Sequence, residues 1–115
     1  MDDDAAVLES FQFMLELAGF QVAAYSSAIA FLDSGRIRPC CLILDQHMPL
    51  MTGLELTARL RASAIDVPVL LVTGAPSPAI VARAAELGVE KVLEKPPTEG
   101  DLLSFVSMHT SGSAA

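Results

Sequence analysis

Apolar residues recur along the chain in two alternating rhythms, one helical and one short and continuous. Their order predicts an α/β fold, a parallel sheet with helices on both faces. Val7, Leu8, Phe11, Met14, Leu15 and Ala18 share one side of a helix that Asp4 caps, that runs through Leu17 and that Gly19 stops. Gln21 to Tyr25 reads as a short strand, and a second helix, capped by Ser26 or Ser27, ends at Gly35. Cys40 to Leu44 is an unbroken apolar run, the pattern of a strand buried on both faces. The turn Met48-Pro49-Leu50-Met51-Thr52-Gly53 leads into a third helix through about Arg61, and Pro68 opens another buried strand, Val69 to Val72. Ser77 followed by Pro78 is an N-cap with proline in the first turn, and its helix runs to Leu87 with Gly88 as its stop. Val89 to Leu93 is the last strand, and a final helix runs from near Thr98 to about Met108. The alternation also asks for a strand ahead of the first helix, yet only Met1 precedes Asp2-Asp3-Asp4.

Length and charge narrow the picture. With 115 residues, 52% of them apolar and 18% charged, the chain has material for one substantial core and no second. The domain is expected over residues 1–109, N-terminally truncated, with a flexible tail at 110–115. Fourteen acids against seven bases give a net charge of −7. That balance speaks against direct nucleic-acid binding, which lives on Lys and Arg neutralising phosphates, and suits a metal cation or a basic partner surface. No apolar stretch approaches the roughly 20 residues that span a bilayer, and no basic start precedes an apolar run, so neither membrane insertion nor a secretory leader is expected. The adjacent Cys40 and Cys41 read as small hydrophobes packed in a strand in a reducing, cytoplasmic setting.

In an open parallel α/β sheet, ligands bind beyond the carboxyl ends of the strands. Asp45 follows Cys40–Leu44, Thr73 follows Val69–Val72, and Lys95 follows Val89–Leu93 one residue after Glu94. Asp2 and Asp3 stand where an upstream strand would end. The topology thus gathers three carboxylates, a hydroxyl and an ammonium at one edge. Clustered carboxylates repel unless a divalent cation neutralises them, and Mg²⁺ suits few carboxylates plus phosphate oxygens. The lysine offers charge and the threonine a hydrogen bond to a transferred phosphoryl group, and a carboxylate that accepts it becomes an aspartyl phosphate. Taken singly, each residue has a plainer role: Asp45 as a turn cap, Asp2 to Asp4 as a solvated run on a helix dipole, Thr73 as a loop residue, Lys95 as an exposed charge.

Asp45-Gln46-His47-Met48-Pro49-Leu50-Met51-Thr52-Gly53 resembles the D-x-x-M-P-x-M-x-G segment of the receiver domains of two-component response regulators. Val72-Thr73-Gly74, Glu94-Lys95-Pro96 and the acidic Asp2-Asp3-Asp4 resemble that family's other signatures, in the same order, over Met1 to about Met108. The resemblance implies a flavodoxin-like, doubly wound parallel sheet of order 2-1-3-4-5, with its first strand largely missing here. It implies Asp45 as phosphoacceptor, with a sensor histidine kinase or phosphotransfer protein as donor. Asp3 would bind Mg²⁺ directly and Asp2 through water, with Asp45 and the backbone carbonyl of His47 as further ligands. Thr73 would hydrogen-bond the phosphoryl group and Lys95 would pair with it, next to a cis Lys95–Pro96 bond. The His47 side chain is expected to face solvent, and His109 carries no assignment. Such a domain is no enzyme beyond self-catalysed phosphorylation and dephosphorylation. Its partners would be the kinase and, in a dimer, a second copy, with no nucleic acid and no membrane.

Two positions depart from the pattern. Val92 stands where the family carries a Tyr or Phe three residues before the lysine, so the usual aromatic rotamer switch is absent. The second departure is the missing strand. Both leave room for an alternative, a phosphorylation-independent pseudo-receiver that serves as a dimerisation or docking module. A phosphohydrolase of the haloacid-dehalogenase type would want a second acid two residues after the nucleophile, where this chain has His47.

Overall fold

The computed structural model describes residues 1–114, with side chains through Thr110. In chain order the elements are α1 (Ala5–Leu17), α2 (Ala28–Asp33), β1 (Leu42–Asp45), α3 (Gly53–Ala62), β2 (Val69–Thr73), α4 (Pro78–Glu86), β3 (Lys91–Glu94) and α5 (Glu99–Ala114). The strands form a parallel sheet of order β1-β2-β3, with Leu42 opposite Val69 and Thr73 opposite Glu94 at the two ends of the ladders. Alternation along the strands divides the core into two layers. Leu42, Leu44, Val69 and Leu71 meet Phe31, Leu56 and Leu60 of α2 and α3, together with Ala84 of α4. Leu70, with Ile43 and Leu93 beside it, meets Leu15 of α1 and Leu102, Phe105 and Val106 of α5. Helices therefore cover both faces, as a doubly wound sheet requires, and every residue of β2 is buried.

Caps fix the helix starts where the polar residues foretold them. The Asp4 carboxylate accepts from the amides of Ala6 and Val7, and the Ser27 and Ser77 hydroxyls accept from Ala30 and Ile80. Thr52 and Glu55 form a reciprocal capping box on α3. Gly53 has a steric reason: a Cβ there would lie 2.8 Å from the Asp45 carbonyl oxygen and 2.7 Å from Leu71 Cδ1.

The front of the sheet explains why one expected strand is not formed. Among the described residues no strand pairs with the free edge of β1, and Gln21 to Tyr25 runs alongside without a ladder. The chain's first two residues occupy the last rung of a strand that would lie between them. The Met1 ammonium donates to the Ile43 carbonyl at 2.7 Å, and the Asp45 amide donates to the Met1 carbonyl at 2.9 Å. On the other side the Asp2 amide donates to the Tyr25 carbonyl at 3.3 Å. Gln21 to Tyr25 thus meets a backbone partner only at its end, and the expected strand is corrected to an extended segment.

Three boundaries also move. β1 begins at Leu42, so Cys40 lies outside the strand and is exposed, contrary to its expected packing, while Cys41 is half-buried. β3 starts at Lys91, two residues later than expected. α5 continues to Ala114, past the expected stop at Met108; the tail expected at 110–115 falls, apart from Thr110, on residues whose side chains lie outside those described.

Candidate functional site

β1 and β3 project Asp45 and, one residue past β3, Lys95 beyond the carboxyl edge of the sheet, while Met1's two bonds to β1 hold Asp2 beside them. The Lys95 ammonium lies 3.0 Å from Asp2 Oδ2 and 3.0 Å from Asp45 Oδ2, bridging two buried carboxylates. The remaining Asp2 oxygen accepts from the Asp4 amide at 2.9 Å, and Asp45 Oδ1 accepts from the His47 amide at 3.2 Å. Burial opposes the charge on Lys95, but its hydrogen bonds and attraction to Asp45 and Asp2 outweigh this and raise its pKa above the ordinary lysine value. The lysine is thus a firm countercharge to the acid pair.

Thr73 ends β2 and is fully buried. Its hydroxyl oxygen accepts from the Ala75 amide at 3.1 Å and lies 3.2 Å from Nε2 of His47. His47 is exposed, as expected, but its ring leans back onto the site hydroxyl instead of extending into solvent. Its neighbour Gln46 is buried, and its side-chain carbonyl accepts from the Leu54 amide, tying the acceptor loop to the start of α3. Met48 is buried and belongs to the core cluster beneath that loop. The Lys95–Pro96 peptide is cis, in agreement with the expectation.

The acidic residues fit a hard divalent cation. Asp2, Asp3 and Asp45 each offer a carboxylate oxygen, all within 4.8 Å of one another, with Asp3 exposed and the other two buried. Few carboxylates with open positions toward solvent are what Mg²⁺ takes, since it keeps several waters. Lys95 shares Asp2 and Asp45 with the acid cluster, so the ammonium and an ion would draw on the same two carboxylates.

Two contacts lay beyond sequence reasoning. Nε2 of His109 on α5 is 2.9 Å from both carboxylate oxygens of Glu90, just before β3. Arg61 donates to the carbonyls of Leu87 and Ile65 at 2.8 Å each, fastening α3 to the end of α4. Arg61 and Leu87 are 26 residues apart, and no local pattern announces such a pair.

A parallel sheet that brings an acid cluster, a buried threonine and a lysine to its carboxyl edge defines the receiver class of signalling modules. This chain belongs to the response regulator receiver domain family, whose model matches residues 1–107. It is 36% identical over 115 residues to the transcriptional regulatory protein FixJ of Azorhizobium caulinodans, covering 99% of this chain and 54% of FixJ. It superimposes on the response regulator StyR with a TM-score of 0.87 and 33% identity, covering 99% of this chain and 58% of StyR. The crystal structure of FixJ-N gives a TM-score of 0.84 and 30% identity, covering 96% of this chain and 90% of that one. The chain spans about half the length of the curated relatives it matches. No helix among the described residues is long and apolar enough to cross a membrane.

Proposed function

We propose that this chain accepts a phosphoryl group on Asp45 from a phosphohistidine of a sensor histidine kinase or phosphotransfer protein, and relays the change to a protein-interaction surface. The observation that carries this reading is the Lys95 ammonium, 3.0 Å from both Asp2 and Asp45 at the end of the sheet. A carboxylate oxygen of Asp45 attacks phosphorus, the phosphorus–nitrogen bond of the donor breaks, and the donor imidazole keeps the electron pair. Lys95 then exchanges part of its pairing with the carboxylates for the new phosphoryl oxygens, and Thr73 donates its hydroxyl proton to one of them. A Mg²⁺ ion held by Asp2, Asp3, Asp45 and the His47 carbonyl would supply the charge neutralisation that acyl phosphate formation needs. Hydrolysis regenerates Asp45, so the chain is a substrate with self-catalysed turnover and no enzyme toward other molecules. A cytoplasmic setting, where ATP charges the kinase, goes with this reading.

Readout would pass through the Thr73 loop to α4, β3 and α5. α4 suits a movable element, because Ala84 is its one buried residue and Val81 is 51% exposed. A second copy of the chain is a candidate partner for that face. The free edge of β1 and the aliphatic Val92 favour one other reading, a docking module indifferent to phosphate.

Phosphoramidate, a small donor with the same phosphorus–nitrogen bond, separates the two. An adduct on the wild type that hydroxylamine removes and Asp45→Asn lacks supports the acceptor. Folded wild type that takes no phosphoryl group, or an equal adduct on Asp45→Asn, overturns it.

A further inference from the structure

We propose that the side chain of His47 is a latch on Thr73. It holds the threonine's proton while Asp45 is unmodified and must release it for the hydroxyl to reach a phosphoryl group. The inference rests on Asp45 being the acceptor and adds the side chain that opposes its readout.

A threonine hydroxyl has one proton to give and two lone pairs to receive. Among the described residues, Thr73 Oγ1 has two partners, the Ala75 amide at 3.1 Å and His47 Nε2 at 3.2 Å. The amide can only donate, so it fills a lone pair. Thr73 is fully buried, where an ungiven proton is costly, and the imidazole nitrogen is the partner left to accept it. The latch therefore takes the ring in the tautomer that accepts at Nε2 and carries its proton on Nδ1.

The oxygens of a phosphoryl group accept hydrogen bonds and donate none. While Nε2 is the acceptor, Thr73 cannot serve His47 and the phosphoryl group with a single proton, so the bond in that direction must break before the phosphoryl bond forms. The Ala75 amide is tied to the same hydroxyl, so Thr73 cannot turn without disturbing the loop that leads to Ser77, the cap of α4. The latch thus opposes the first movement of the readout path. His47 reaches it because the hydrogen bond its backbone N–H donates to Asp45 Oδ1 holds the backbone close to the acceptor, with the exposed ring on the solvent side of Thr73.

The test uses the 115-residue chain with Mg²⁺ and beryllofluoride, a non-hydrolysable mimic of the phosphoryl group, read through the amide resonances of Gly74 and Ala75. His47→Ala should bind the mimic roughly two- to tenfold more tightly than wild type, the range that one net hydrogen bond spans. Its Gly74 and Ala75 resonances without the mimic should lie part of the way from the wild-type free positions to the bound ones. His47→Gln, which places an amide near the position of Nε2, should return both towards wild type. Mimic affinity and resonances unchanged in His47→Ala overturn the latch, as does weaker binding or a failure of glutamine to restore. Wild type that takes up no mimic overturns the acceptor reading itself, and the latch with it.

Discussion

The Met1 ammonium sits where a strand's peptide nitrogen would, 2.7 Å from the Ile43 carbonyl, and burial lowers its pKa from 8.0 to about 6. In a chain that begins at Met1, the unfolded form holds this proton up to about pH 8 and the folded form sheds it near pH 6. The folded state therefore binds fewer protons in that window, and stability rises with pH from 6 to 8. Two pKa units correspond to about 2–3 kcal/mol. Urea melts across that range should show the rise, and N-terminal acetylation should flatten it; an equal slope after acetylation would assign it to other groups. Gly53 yields a second expectation. Gly53→Ala forces a Cβ against the Asp45 carbonyl and Leu71 and should cost about 1–3 kcal/mol in a urea melt, despite alanine's better helix propensity. At this scale the sequence was informative where residue type carries the chemistry. Asp45, Thr73, Lys95, Asp2 and Asp3 all stand at the edge assigned to them. It sent the His47 side chain into solvent and missed its contact with Thr73, because a bond to a residue 26 positions away depends on how two loops meet.

Elements were legible where periodicity and caps agreed. α1 and α4 begin at the residues their caps foretold, since Asp4 and Ser77 satisfy the free amides of a first turn. Gln21 to Tyr25 has the residues of a strand, but a strand is made by its neighbour, and the neighbour here amounts to Met1 and Asp2. The backbone bonds of Met1 set the direction and register that a strand laid along this edge would take, parallel to β1 with Met1 beside Leu44. Four aliphatic residues added ahead of Met1 would bury side chains worth roughly 1.5–3 kcal/mol each. Ordering their backbone costs roughly 1–2 kcal/mol per residue. The extended chain should gain a few kcal/mol and a clearly higher Tm. Four serines in the same place should not, and equal Tm values for the two extensions would contradict the open slot.

At the scale of the molecule, the sheet is covered on both faces and the acid cluster lies at its carboxyl edge, where ligands of such sheets bind. Readout is harder to see in the sequence, because it depends on which face yields. β3 is only half-buried and Val92 lies at the margin of the α3 layer, so an aromatic there would add a side chain with room to swing. If the output face runs through β3, Val92→Tyr should strengthen phosphorylation-dependent self-association, measured by sedimentation with and without beryllofluoride. An unchanged ratio would separate β3 from the output.

The central claim is that Asp45 is a Mg²⁺-assisted phosphoacceptor, and intact-mass analysis after acetyl phosphate treatment tests it most directly. One phosphoryl adduct on wild type with Mg²⁺, lost in chelator and absent from Asp45→Asn, is the predicted result. Folded wild type that stays unmodified with Mg²⁺ present, or an adduct that persists in Asp45→Asn, would contradict it.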